Sequence, residues 1–387
     1  MRESLPTAKT DKPADAIESI SRRDFVRLAG FLAAGASLPF YNEFTLAQDL
    51  KAISQIPPDA VRLNANENPL GPCPEVLDAV RKILPNSGRY HFSEMFAFAE
   101  AMASSESLPA THVLPTAGSS DPLHRAVIAF TSPSKPLVTA EPGYEAPEGA
   151  ATFNKAKVIR VPLRKDYSHD TKAMAAAHPT AGLIFVCNPN NPTGSVTRKD
   201  DIVTLVENKP EGCIVLVDEA YIHFSHSAST VTDLVAAGKD VIVLRTFSKL
   251  YGMAGLRAGA AIGRPDLLEK MRVLAGLNPL PVTGMVAAIA SLKNKALVGQ
   301  RRDALAGIRK DLFAWLDRKG IAYIPSEANM VMIDTKRPGK DVAKAMLEQK
   351  VAIGRAWASM PTHVRVTIGT AAEMEKFKAA FEGVVRA

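Results

Sequence analysis

Between Leu244 and Gly259 the chain reads LRTFSKLYGMAGLRAG, which sets Lys249 between two hydroxyl residues, Thr246 and Ser248, and one arginine, Arg257. A lysine amine attacks an aldehyde once neighbouring cations or desolvation lower its pKa. A guanidinium matches a phosphate in shape and charge. Gly252, Gly255 and Gly259 let the backbone turn and let a bulky group come close, which a β-carbon would obstruct. The stretch therefore suits an aldehyde that also carries a phosphate. Apolar runs on either side, Val241 to Leu244 and Ala258 to Ile262, predict strands, so the lysine sits on a tight connection.

Four other polar turns also follow apolar runs. Asp218 is the first polar residue after Ile214-Val215-Leu216-Val217 and leads into Glu219-Ala220-Tyr221. A carboxylate there needs a cationic partner, or it caps a helix. Leu183 to Cys187 ends abruptly in Asn188-Pro189-Asn190-Asn191-Pro192-Thr193-Gly194. Leu137 to Thr139 leads to Glu141-Pro142-Gly143-Tyr144. Val113-Leu114-Pro115-Thr116-Ala117 runs into Gly118-Ser119-Ser120-Asp121-Pro122. Asp121 or Ser120 can cap the helix that follows, Pro122 suits its first position, and its free N–H groups attract anions. That turn reads either as a phosphate cradle or as a well-capped helix. Open α/β sheets place ligands at the carboxyl ends of their strands, which is where all five turns fall.

The order S-K-x-x-G-x-x-G-x-R, with NPNNPTG upstream, resembles the class I/II aminotransferases, the fold-type-I enzymes that use pyridoxal phosphate. The resemblance covers residues 61 to 387 and implies an α/β fold with a large, mostly parallel sheet between helices and a small α+β domain. It implies that Lys249 holds the cofactor as a Schiff base and that Gly118, Ser119, Ser120, Thr246, Ser248 and Arg257 hold its phosphate. Tyr144 would stack on the ring, Asn191 and Tyr221 would bond its hydroxyl oxygen, and Asp218 would protonate its nitrogen. Val61 to Pro72, with LNANENPLGP, is similar to the opening of the histidinol-phosphate aminotransferase branch and makes Asn66 a substrate neighbour. Gly88-Arg89-Tyr90-His91 resembles that branch's R-Y-P-D, with His91 in place of proline. By that match Tyr90 reaches the partner subunit's cofactor phosphate in a homodimer. Arg365 matches the arginine that grips the substrate carboxylate, and Arg355 a second arginine near the substrate's far end.

The implied activity moves an amino group between an L-amino acid, or an amino-alcohol phosphate, and a 2-oxo acid. Decarboxylation of a phosphorylated amino acid on the same fold, or an exported binding protein without chemistry, are the alternatives.

Composition agrees with a large globular enzyme. The chain has 387 residues, of which 47% are hydrophobic, and a net charge of +7 without a long basic run. That argues for small anionic ligands over nucleic acid. Three cysteines, Cys73, Cys187 and Cys213, lack metal-site spacing, so buried thiols are expected and neither zinc nor a disulfide framework. Ser21-Arg22-Arg23-Asp24-Phe25-Val26-Arg27, followed by a mildly apolar run from Leu28 to Phe40, resembles a twin-arginine export leader and implies a periplasmic or otherwise exported protein, tethered to the membrane if the leader is not cleaved. The run is too short to span a membrane. The expected divisions are a leader over 1-47, an N-terminal segment over 48-88 packing with the small domain, a large cofactor-binding domain over 89-285 and a small domain over 286-387.

Overall fold

The computed structural model describes residues 56–276 and 280–386, so the leader-like segment lies outside the described residues. The chain opens with β1 (Val61–Leu63) and then builds a seven-stranded sheet. Its strands are β2 (Val113–Thr116), β3 (Leu137–Glu141), β4 (Val158–Pro162), β5 (Leu183–Cys187), β6 (Ile214–Asp218), β7 (Val241–Thr246) and β8 (Gly259–Gly263). They lie in the order β2-β8-β7-β6-β5-β3-β4. The central strands β5, β6 and β7 are buried along their whole length, which is why their sequences are unbroken apolar runs and not alternations.

β8 runs antiparallel to both of its neighbours, and the other pairings are parallel. Strands β2, β3, β5, β6 and β7 therefore all point the same way. The make-up of β8, Gly-Ala-Ala-Ile-Gly, has a steric reason. A β-carbon at Gly259 would lie 2.5 Å from the Gly118 carbonyl carbon and 2.7 Å from the Arg245 oxygen.

A second, antiparallel sheet joins β9 (Tyr323–Ile324), β10 (Met330–Asp334) and β12 (His363–Thr367) in the order β12-β10-β9. The remaining strand, β11 (Val351–Ile353), pairs in parallel with β1, bringing the start of the described chain to its last third. Helices Pro265–Arg272, Val282–Lys293 and Leu297–Lys319 follow β8, with Leu312, Trp315 and Leu316 buried. The last helix, Ala371–Arg386, starts from a reciprocal pair at Thr370 and Glu373. The Thr370 amide donates to Glu373 Oε2 at 2.7 Å and the Glu373 amide donates to Thr370 Oγ1 at 3.3 Å.

One helix start differs from expectation. The helix Ser120–Phe130 has Ser119 at its N-cap with no side-chain capping bond, and Pro122 stands third, not first. A missing N–H is harmless anywhere in a first turn, so proline does not fix the start to one residue. Asp121 pairs with Arg125 instead of capping, Nε to Oδ1 at 2.8 Å.

Because backbone lies on both sides of Gly259, Gly259→Ala should push β8 away from the turn at Gly118. Overpacking of this kind costs about 1–3 kcal/mol. Urea denaturation should show that loss, together with weaker binding of any ligand held by that turn.

Candidate active site

The turns that follow the five co-directional strands meet at one edge of the large sheet. They enclose a cavity of about 270 Å³ lined by Ser119 and Ser120, Tyr144, Asn191, Asp218, Tyr221, and Thr246, Ser248 and Lys249. Arg257 lines it from beyond the lysine turn.

Arg257 adopts a left-handed backbone, φ 55°, which turns its side chain back over the sheet edge. Its Nη1 donates to Ser248 Oγ at 3.2 Å and to the Ala254 oxygen at 2.9 Å, while Nη2 donates to the Ala117 oxygen at 2.7 Å. A β-carbon on Gly118, which has φ +86°, would stand 2.6 Å from that Nη2, so only glycine lets the guanidinium lie over the turn. Two more hydroxyls stiffen the wall. Thr116 Oγ1 donates to the Gly118 oxygen at 2.8 Å, and Thr246 Oγ1 accepts from the Ser248 amide at 3.1 Å. Hydroxyls, a guanidinium and a helix start without a side-chain cap make an anion site.

Asp218 ends β6 in the interior, 3% exposed. Burial pushes its carboxyl up to about 7, against the pull of the Ala220 amide, which donates to Oδ1 at 3.0 Å, and of the charge on Lys249. A carboxylate this dry is stable only beside a cation. Lys249 Nζ donates to the Ala65 oxygen at 3.2 Å and lies 5.8 Å from the centre of the Tyr221 ring. The Tyr221 hydroxyl accepts from Asn66 Nδ2 at 3.0 Å. Asn66, fully buried with φ 54°, also donates its amide to Thr367 Oγ1 at 2.9 Å. The lysine turn, β6, the N-terminal segment and β12 thus meet at one point.

Arg365, on β12, sits beside this cavity. Its Nη1 donates to Asn191 Oδ1 at 2.9 Å, which fixes the orientation of that amide, and Nη2 donates to the Asn64 oxygen at 2.8 Å. Arg355 lies further out. Both of its terminal nitrogens pair with the Glu145 carboxylate, and its guanidinium carbon lies 3.9 Å from the centre of the Trp357 ring. Tyr90 stands apart from the cavity, 69% exposed beside Phe92.

The sequence reading missed the polar cluster behind the site. Arg245, on β7, meets Glu219 at 2.8 Å, Glu106 at 3.2 Å and Thr230 Oγ1 at 2.9 Å. Its Nη1 also donates to His223 Nε2 at 3.1 Å, so the imidazole proton is on Nδ1. Glu219 and Arg245 each adjoin a site residue, Asp218 and Thr246, and that adjacency was the available signal. Glu67 and Cys187 also line the cavity, and the cysteines Cys73, Cys187 and Cys213 are buried.

The residues present fit pyridoxal phosphate. The glycine cradle under Arg257 matches its phosphate, and the dry Asp218 demands a cation such as a protonated ring nitrogen. Comparison with known proteins agrees. The family model described as aminotransferase class I and II matches residues 58–381. A histidinol-phosphate aminotransferase of Symbiobacterium thermophilum is 34% identical over 331 residues, 84% of this chain and 91% of that protein. An aromatic amino acid aminotransferase of Cutibacterium acnes is 33% identical over 333 residues, 85% of this chain and 93% of that protein. Among solved structures, the histidinol-phosphate aminotransferase of Sinorhizobium meliloti in complex with pyridoxal-5'-phosphate superposes with a TM-score of 0.78 at 26% identity. It covers 84% of this chain and 91% of that one.

Asp218 makes a prediction about pH. With its pKa raised from 3.8 to about 7, the folded cofactor-free protein holds this proton more tightly than the unfolded chain, so folding stability falls as pH rises through that window. Asp218→Asn should therefore make the cofactor-free protein more stable above pH 7, by on the order of a few kcal/mol at ~1.4 per pKa unit, with no gain below pH 4. Thermal melts across pH check it, and adding cofactor should flatten the wild-type slope.

Proposed function

The chain belongs to the class I and II aminotransferases and works with pyridoxal phosphate, and from that premise we propose that Lys249 is the proton carrier in amino transfer between an L-amino acid and a 2-oxo acid. The observation that carries the reading is the convergence of Lys249, Asp218, Asn191, Tyr221 and Arg257 on one small cavity. They come from three turns, those after β5, β6 and β7, with Ser248 and Thr246 beside the arginine.

Arg257, Ser119, Ser120, Thr246 and Ser248 would hold the phosphate, Tyr144 the ring face, and Asn191 and Tyr221 the ring hydroxyl. When bound, the cofactor supplies an electron sink for the carbanion left when an amino acid loses its α-proton. Asp218 keeps the ring nitrogen protonated, for which its buried carboxylate is suited. Nζ of Lys249 removes the α-proton as an amine and returns it at the neighbouring position as an ammonium. Tyr221 and the Ala65 oxygen keep that nitrogen near its working place. Arg365 grips the substrate carboxylate, and its bonds to Asn191 and Asn64 set its angle of approach.

The reading extends to assembly and location. Tyr90, Phe92, Phe96 and Leu84 expose apolar surface close together in sequence, which supports a homodimer in which Tyr90 enters the partner subunit's site. The Arg22-Arg23 motif supports export by the twin-arginine route to the periplasm. A cofactor made in the cytoplasm must then be loaded before export.

Lys249→Ala should abolish turnover and the visible absorbance of the bound cofactor together. A variant that keeps full activity would end the proposal. Replacing Arg22 and Arg23 by lysine should leave the protein in the cytoplasmic fraction, folded and yellow, and an unchanged distribution on fractionation would refute export.

A further inference from the structure

The cluster at the outer side of the site is continuous. Arg365 contacts Asn191, its guanidinium carbon lies 5.3 Å from the centre of the Trp357 ring, and the Trp357 indole donates to the Gly143 oxygen at 3.1 Å. Arg355 lies on the same ring, 3.9 Å from its centre. Glu145, the residue after Tyr144, takes both terminal nitrogens of Arg355, Nη1 to Oε1 at 3.4 Å and Nη2 in a shorter contact to Oε2. The pair stands at the rim, with the Glu145 side chain 32% exposed and that of Arg355 13%.

We propose that Glu145 is a specificity-determining residue. By neutralising Arg355 it opens the outer end of the substrate site to an uncharged flat or apolar side chain and closes it to a second anion. The proposal rests on the amino-transfer reading, in which Arg365 takes the substrate carboxylate. A phosphate or carboxylate could reach Arg355 only by displacing Glu145, and would then sit beside that carboxylate, a like-charge contact that selects against it. A cationic side chain would meet Arg355 itself. An aromatic side chain leaves the ion pair intact and adds a face to the stack of guanidinium on indole.

The test uses the cofactor-loaded protein and two unreactive probes that share one carboxylate and differ at the far end, 3-phenylpropanoate and 3-phosphonopropanoate. Calorimetry should show that the wild type binds the phenyl compound more tightly. Glu145→Gln should improve binding of the phosphonate about tenfold or more, a shift of about 1.4 kcal/mol, and leave the phenyl compound unchanged. The ratio of kcat/KM for phenylalanine over O-phosphoserine should fall in parallel. A wild type that prefers the phosphonate, or a probe ratio unmoved in the variant, would overturn the proposal. If Glu145→Gln does not fold, Arg355→Met decides, because a selective loss of phosphonate binding would show that Arg355 reads the anion directly, and equal binding would uphold the neutralised pair. Failure of the amino-transfer reading shows separately, as a visible band that no amino donor shifts, and the calorimetric ratio reports on Glu145 either way.

Discussion

A carboxylate buried at the end of a central strand is the constraint around which the site is arranged. Asp218 has one amide donor and a nearby lysine for compensation, and these do not hold its affinity for protons down. A carboxyl whose proton affinity burial has raised this far is costly as a lone anion and useful beside a cationic ring. The apolar strands β5 and β7, which flank it, make the dryness. The turns that follow those strands supply the residues that would hold the rest of the cofactor.

The sheet topology explains why such a collection is possible. Parallel strands deliver every strand end to one edge, and only there can five turns from distant parts of the sequence share a small volume. β8 breaks the pattern, yet its reversal serves the same edge. It carries the chain away from Arg257 and, through Gly259, lets the Gly118 turn lie directly against the backbone.

Much of this was legible in the sequence because strand ends announce themselves. An apolar run that stops at Asp218, or at Asn188-Pro189, marks both the element and the direction its turn faces. Helix starts were less legible, as Pro122 shows, since several positions of a first turn tolerate the same residues. Pairings between distant residues left no local mark. Arg355 and Glu145 are 210 positions apart, and Arg245 and Glu106 are 139 apart. Nothing near Arg355 says that a carboxylate will occupy it. The arginine was readable as a charge, while its neutralisation exists only in the folded chain. The twin-arginine motif lies outside the described residues.

The bonds between the N-terminal segment and β12 also set an order of events during synthesis. Asn66 leans on Thr367, and Asn64 on Arg365, in each case across 301 positions. The ribosome therefore makes one half of these contacts near the beginning and the other half almost at the end. Until His363–Thr367 has emerged, the segment carrying Ala65 and Asn66 lacks the Thr367 and Arg365 partners that hold it from β12. The large sheet can form earlier from contiguous chain. A nascent protein in that interval would hold the phosphate turn and the lysine without the wall that positions them, and a completed pocket is a property of the finished chain alone.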